Sequence, residues 1–100
     1  SPLEESRAIK RLIEEFGLTH QQAAESVGRS RTAVTNLLRL LELEKETLTL
    51  LADKALEMGH ARALLGLEGE AQTTAARYIA TRGLSVRETE KYIKKLKGTK

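Results

Sequence analysis

The sequence predicts an all-α chain of about seven helices containing a helix-turn-helix, and three observations carry that expectation. Apolar residues recur at three- and four-residue spacing in one segment after another. Most segments are opened by a capping residue or closed by a glycine. Aromatic residues make up 3% of the chain against 40% for all hydrophobic types. The core must therefore rest on Leu, Ala, Ile and Val, an aliphatic set suited to packed helices. No strand pattern competes: Thr47-Leu48-Thr49-Leu50 alternates briefly, and Leu51 breaks the rhythm.

The first helix is expected over Ser1 to Phe16. Ser1 can cap, Pro2 suits the first helical position, and Glu4 completes a capping box. Leu3, Ile9, Leu12, Ile13 and Phe16 follow at helical spacing, and Gly17 closes the segment. Thr19 and Gln22 form a second capping box, opening a short helix that stops at Gly28. Ser30 caps a third helix to about Leu41, with Val34, Leu37, Leu38 and Leu41 on one face. A fourth helix over Lys45 to Asp53 buries Leu48, Leu51 and Ala52. A short fifth begins near Met58 and turns Ala61, Leu64 and Leu65 inward. The sixth, Ala71 to Arg82, buries Ala75, Ala76 and Ile79 and ends at Gly83. Ser85 with Glu88 repeats the capping box, and a seventh helix carries Val86, Tyr92, Ile93 and Leu96. Tyr78 and Tyr92 fall at positions of core or boundary packing. The expected organisation is one helical domain over 1–97, with the helix-turn-helix at about 19–41 and supporting helices over 44–97. The last residues, 98–100, read as a linker or frayed end.

Composition excludes several classes. There is no cysteine, hence no disulfide framework and no thiolate metal site. The two histidines lack a metal-binding frame, so no metal and no cofactor are expected. No run approaches the roughly 18 apolar residues of a membrane helix, and the N-terminus lacks the shape of a signal peptide. A cytoplasmic location is the expectation. No phosphate loop, paired-carboxylate site or nucleophile motif is present, so the chain is read as a binding module and not an enzyme.

Charge distribution says more than the net charge of +3. Between Glu25 and Glu42 no acidic residue occurs, while Arg29, Arg31 and Arg39 fall inside that window. A second acid-free window, Met58 to Leu67, carries His60 and Arg62. Acids crowd between the two, at Glu42, Glu44, Glu46, Asp53 and Glu57. Such segregation orients a polyanion such as duplex DNA.

Thr19 to Leu41 has the helix-turn-helix pattern. Two helices cross steeply only where small residues meet and the turn accepts a left-handed conformation. Ala23 and Ala24 supply the first, Gly28 the second, and Val27, Val34 and Leu37 are expected to fill the wedge. The second helix then has Arg31, Thr32, Thr35, Asn36 and Arg39 free to face outward, the groups that bond phosphates and base edges. An ordinary helical hairpin with a polar exterior is the alternative for this pattern. Thr19, Gln21 and Gln22 open the helix that crosses the DNA backbone, and Gln22 is equally explained by its cap. His20 is expected as a solvated residue near the DNA edge. Gly59-His60-Ala61-Arg62 reads as a helix start where glycine admits close backbone approach, with His60 and Arg62 as added donors. His60 acting as a cap or packing residue is the alternative. The lysines Lys91, Lys94, Lys95 and Lys97 read as a solubilising helix end.

The stretch GLTHQQAAESVGRSRTAVTNLLRLLEL, then GHARALLGL, then GLSVRETEKYI resembles the central DNA-binding domain of the ParB and Noc family of chromosome- and plasmid-partition proteins. The resemblance spans nearly the whole chain. It implies sequence-specific binding of a centromere-like inverted repeat, called parS in most members, one protomer per half-site. It implies base readout by Arg31, Thr35, Asn36 and Gly59. Phosphate contacts would come from Thr19, Gln21, Gln22, Arg29, Ser30, Thr32, Arg39, His60 and Arg62. Leu37 and Glu42 align with positions that vary between parS and Noc readers, and Leu37 departs from the pattern by being apolar. Gly59 favours parS over a Noc-type site. The full-length family members resemble CTP-dependent clamps that dimerise and partner a ParA-type ATPase at the nucleoid or plasmid. The arginine-rich CTP motif is not among these residues. Two alternatives remain: a Noc-like or KorB-like regulator reading another site, and a helical protein-interaction module.

Overall fold

The structure, a computed structural model, describes residues 1–98. Among these it contains seven α-helices and no strand, as the sequence predicts. Contacts gather into two compact units, divided between Glu42 and Leu43.

The first unit holds α1 (Pro2–Phe16), α2 (His20–Val27) and α3 (Arg31–Leu40). Ser1 caps α1 by accepting from the Glu4 N–H, and Glu4 reaches back to the N-terminal ammonium. Gly17 and Gly28 end α1 and α2 with φ of 62° and 71°, a left-handed conformation that a side chain disfavours. Leu3, Ser6 and Ile9 of α1, Ala23 and Ala24 of α2, and Val34, Leu37 and Leu40 of α3 are buried. The small side chains of α2 let α3 lie close, as expected.

Two expectations about this core need correction. Val27 does not fill the wedge: it is 40% exposed, because the last residue of α2 lies on the outer side just before the chain turns at Gly28. On α3 the inward stripe is Val34, Leu37 and Leu40, while Leu38 and Leu41 are only half-buried. The last turn tightens, with the Leu41 N–H donating to the Leu38 carbonyl at 3.1 Å. Phe16, at the end of α1, is 66% exposed.

The second unit holds α4 (Lys45–Ala52), α5 (Met58–Leu64), α6 (Gly69–Arg82) and α7 (Val86–Gly98). Thr47, Leu51 and Leu56 are buried, whereas Leu48 is half-buried and Ala52 exposed; the inward face of α4 is turned from the expected one. Ala61, Leu64, Ala75, Ala76, Ile79 and Ile93 are buried. Leu65 is half-buried and Leu96 exposed. Gln72 ties three segments together from a fully packed position. Its Oε1 accepts from the Glu44 N–H at 2.8 Å, and its Nε2 donates to the Leu64 and Leu67 carbonyls at 3.1 and 2.7 Å. A buried amide is tolerated only when its polar atoms are met in this way. Tyr78 and Tyr92 stack with ring centroids 4.6 Å apart at the boundary, and Arg82 covers the Tyr78 ring at 4.8 Å. Ser85 and Glu88 form the predicted box: the Ser85 N–H donates to the Glu88 carboxylate and the Glu88 N–H to the Ser85 Oγ. Hydrogen bonds from the Ser85 N–H first, and then from the Ser85 side chain, hold the Glu88 carboxyl below its ordinary pKa. α7 runs through Gly98, and residues 99 and 100 of the expected linker lie outside the described residues.

Candidate nucleic-acid interface

The candidate interface centres on the N-termini of α2 and α3. Thr19 caps α2: its Oγ1 accepts from the Gln22 N–H at 3.1 Å, and the Gln22 Oε1 accepts from the Thr19 N–H at 2.9 Å. Ser30 caps α3 by accepting from the Ala33 N–H at 3.0 Å. All three caps consume acceptor atoms. The hydroxyl protons of Thr19 and Ser30 and the amide protons of Gln22 stay free, on residues that are all exposed. Phosphate accepts and never donates, so these caps leave the half of each group that an anion needs.

Along α3, Arg31, Thr32 and Arg39 are exposed, and Thr35 and Asn36 half-buried. Among the described residues neither Arg31 nor Arg39 has an ion-pair partner. Arg29, just before the cap, is engaged. Its guanidinium grips the Glu5 carboxylate with two hydrogen bonds, from Nε and, at 2.9 Å, from Nη2. The two side chains are 46% and 34% exposed, and a pair so placed contributes little, so a phosphate can compete for Arg29. Gln21 donates to Glu25 one turn along, at 3.2 Å. His20 is exposed, as expected, and its Nδ1 lies 3.2 Å from the Thr35 Oγ1 of α3.

Leu37 is 5% exposed, which answers the departure seen in the sequence: it packs. Its carbonyl has a separate use. The tightened last turn leaves that carbonyl without its helical N–H, and the Ser6 hydroxyl of α1 sits 2.7 Å away. Ser6 is fully buried and also lies 2.7 Å from the Pro2 carbonyl. Sequence reasoning passed over it, although Leu3, Ser6 and Ile9 share one helical spacing, and a small polar residue within an apolar stripe is a signal. Glu42 is exposed just past α3.

Two expected DNA-facing residues in the second unit have structural roles. His60 is 5% exposed. Its Nδ1 accepts from the Glu57 N–H at 2.9 Å, which places the ring proton on Nε2, 2.8 Å from the Leu84 carbonyl. The ring therefore caps α5 and has no donor left for a phosphate. Gly59, expected to admit close backbone approach, is half-buried and also packs against α7. A Cβ added there would lie 2.7 and 2.9 Å from the two γ-carbons of Val86, so a side chain at this position must displace Val86 where α5 packs on α7. Arg62, by contrast, is exposed on α5 with no ion-pair partner among the described residues.

The model of the ParB helix-turn-helix domain matches residues 1–98. The chain belongs to the ParB DNA-binding-domain family. It is 57% identical over 93 residues to the "Probable chromosome-partitioning protein ParB" of Vibrio cholerae, covering 93% of this chain and 32% of that protein. A namesake from Xylella fastidiosa is 60% identical over 90 residues, covering 90% of this chain and 29% of the relative. The chain thus spans about a third of the length of the curated relatives it matches. Two crystal structures share the ParB fold at 39% identity. The C-terminally truncated ParB of Caulobacter crescentus, complexed to the centromeric parS site, superposes with a TM-score of 0.84 over 95% of this chain and 49% of that one. A ParB DNA-binding domain complexed to parS gives 0.83 over 94% and 76%. No helix among the described residues is long and apolar enough to cross a membrane.

Proposed function

We propose that the chain is the site-reading module of a partition protein, binding one half of a parS-like inverted repeat in duplex DNA. The observation that carries this reading is the surface of α3: arginines without carboxylate partners, beside caps whose donors are left over. The parS complexes of the Caulobacter protein and of the second ParB domain support it. In this reading Arg31, Thr35 and Asn36 read base edges in the major groove. Thr19, Gln21, Gln22, Arg29, Ser30, Thr32, Arg39 and Arg62 hold phosphates. The His60 ring, with both nitrogens bonded within the fold, drops out of the contact set, and Gly59 stays in it through its backbone. The module binds and does not catalyse. Two copies serve one inverted repeat, which fits a homodimer of the longer protein working with a ParA-type ATPase at the nucleoid.

Fluorescence anisotropy on a parS-type repeat and a scrambled duplex, at two salt concentrations, tests the proposal. Tight binding to the repeat that weakens about tenfold or more over a few-fold rise in salt is expected. Equal binding to both duplexes would move the assignment to another cognate site, and no binding to either would leave a protein-interaction module.

A further inference from the structure

We infer that His20 is a specificity-setting residue that acts on DNA through Thr35 and not by touching a base itself. The inference rests on the proposed role of α3. His20 is the first residue of α2, held there by the Thr19 and Gln22 box, and its Nδ1 meets the Thr35 hydroxyl 3.2 Å away on α3. A hydroxyl has one proton and two lone pairs, and its rotor turns to suit its partners. The imidazole removes that freedom. When Nδ1 is bare it takes the Thr35 proton, and the hydroxyl then shows only lone pairs, which suit the amino groups of cytosine and adenine. When Nδ1 carries the proton it donates, and Thr35 keeps its own for the acceptors of guanine or thymine. The tautomer of His20 therefore fixes which kind of base edge Thr35 accepts. Lys10 and Glu14 of α1, together with Glu42, line the same cleft and are the charged groups around the ring. No carboxylate lies within hydrogen-bonding distance of His20 among the described residues; its recorded partner is Thr35.

The test is a double-mutant cycle with the whole chain: wild type, His20→Ala, Thr35→Val and the double variant. Each is titrated on the inverted repeat, on repeats changed at single base pairs, and on a scrambled duplex. Discrimination at the base pair facing Thr35 is expected to fall about 2- to 10-fold in His20→Ala, the worth of one net hydrogen bond. In the Thr35→Val background the same change should do nothing further at that base pair. Multiplying losses would overturn the inference by showing that His20 meets the DNA independently. An equal drop on repeat and scrambled duplex would overturn it as well, in favour of a phosphate contact. Wild type that fails to distinguish repeat from scrambled duplex would remove the parS-repeat reading, and this inference with it.

Discussion

Replacing Ser6 with alanine tests whether α1 supports α3 by a single hydroxyl. The carbonyls near this hydroxyl differ in what they lose. Pro2 lies within α1, where the backbone four residues on serves its carbonyl. The Leu37 carbonyl has no such partner, because the Leu41 N–H goes to Leu38 instead. Ser6→Ala therefore orphans one buried acceptor, at a cost of about 1–3 kcal/mol. The vacated volume is that of one oxygen, too small to admit a bridging water. For a domain of this size the melting temperature should fall about 4–8 °C per kcal/mol. Ser26→Ala is the control: its hydroxyl makes the same kind of bond, to the Gln22 carbonyl at 3.0 Å, but on an exposed face, and should cost less than about 0.5 kcal/mol. Urea unfolding followed by circular dichroism measures both. A Ser6→Ala loss no larger than that of Ser26→Ala would refute the reasoning and leave the Leu37 carbonyl indifferent to α1.

Arg31→Ala should cost about 1–3 kcal/mol on the parS-type repeat and much less on random duplex, read by anisotropy; equal losses would demote Arg31 to a phosphate contact. Gly59→Ala should destabilise by about 1–3 kcal/mol from overpacking against Val86, less the roughly 1 kcal/mol that alanine gains in a helix. Val86→Ala in the same chain should recover most of the loss, and a cycle without coupling would contradict the packing role. Glu88 should titrate below an ordinary glutamate in a carboxylate NMR titration, since its folded pKa is depressed. The α7 cap then contributes stability above the unfolded carboxylate range and loses it as pH falls through the folded value; an ordinary midpoint would mean the box is not closed in solution.

Helix boundaries were legible because they are set by local chemistry. Ser1, Thr19, Ser30 and Ser85 open helices where their hydroxyls meet the third backbone N–H, and Gly17, Gly28 and Gly83 close them with left-handed backbone. The inward faces were less legible. Helical spacing admits Leu38 and Leu41 as readily as Leu40, and only the tightened end of α3 decides between them. Gly59 and His60 show a different limit. A glycine and a histidine at a helix start suit an anion, and equally suit close packing and a cap, whose partners Val86 and Leu84 lie more than twenty residues away. The outward residues of α3 were read from residue type and the acid-free window. Their couplings, Arg29 with Glu5 and His20 with Thr35, join helices apart in sequence and left no local trace.

The Arg29–Glu5 pair has a consequence for how binding answers to ionic strength. An arginine that reaches DNA unpaired displaces a condensed cation from the duplex, and each such contact steepens the salt dependence by close to one ion. Arg29 carries a resident counterion, the Glu5 carboxylate. When it turns to a phosphate, breaking the ion pair costs less as salt screens it, which offsets part of the penalty that salt imposes on the DNA contact. In the proposed contact set, a phosphate contact by unpaired Arg39 would add its full share to the salt slope, and one by Arg29 a smaller share.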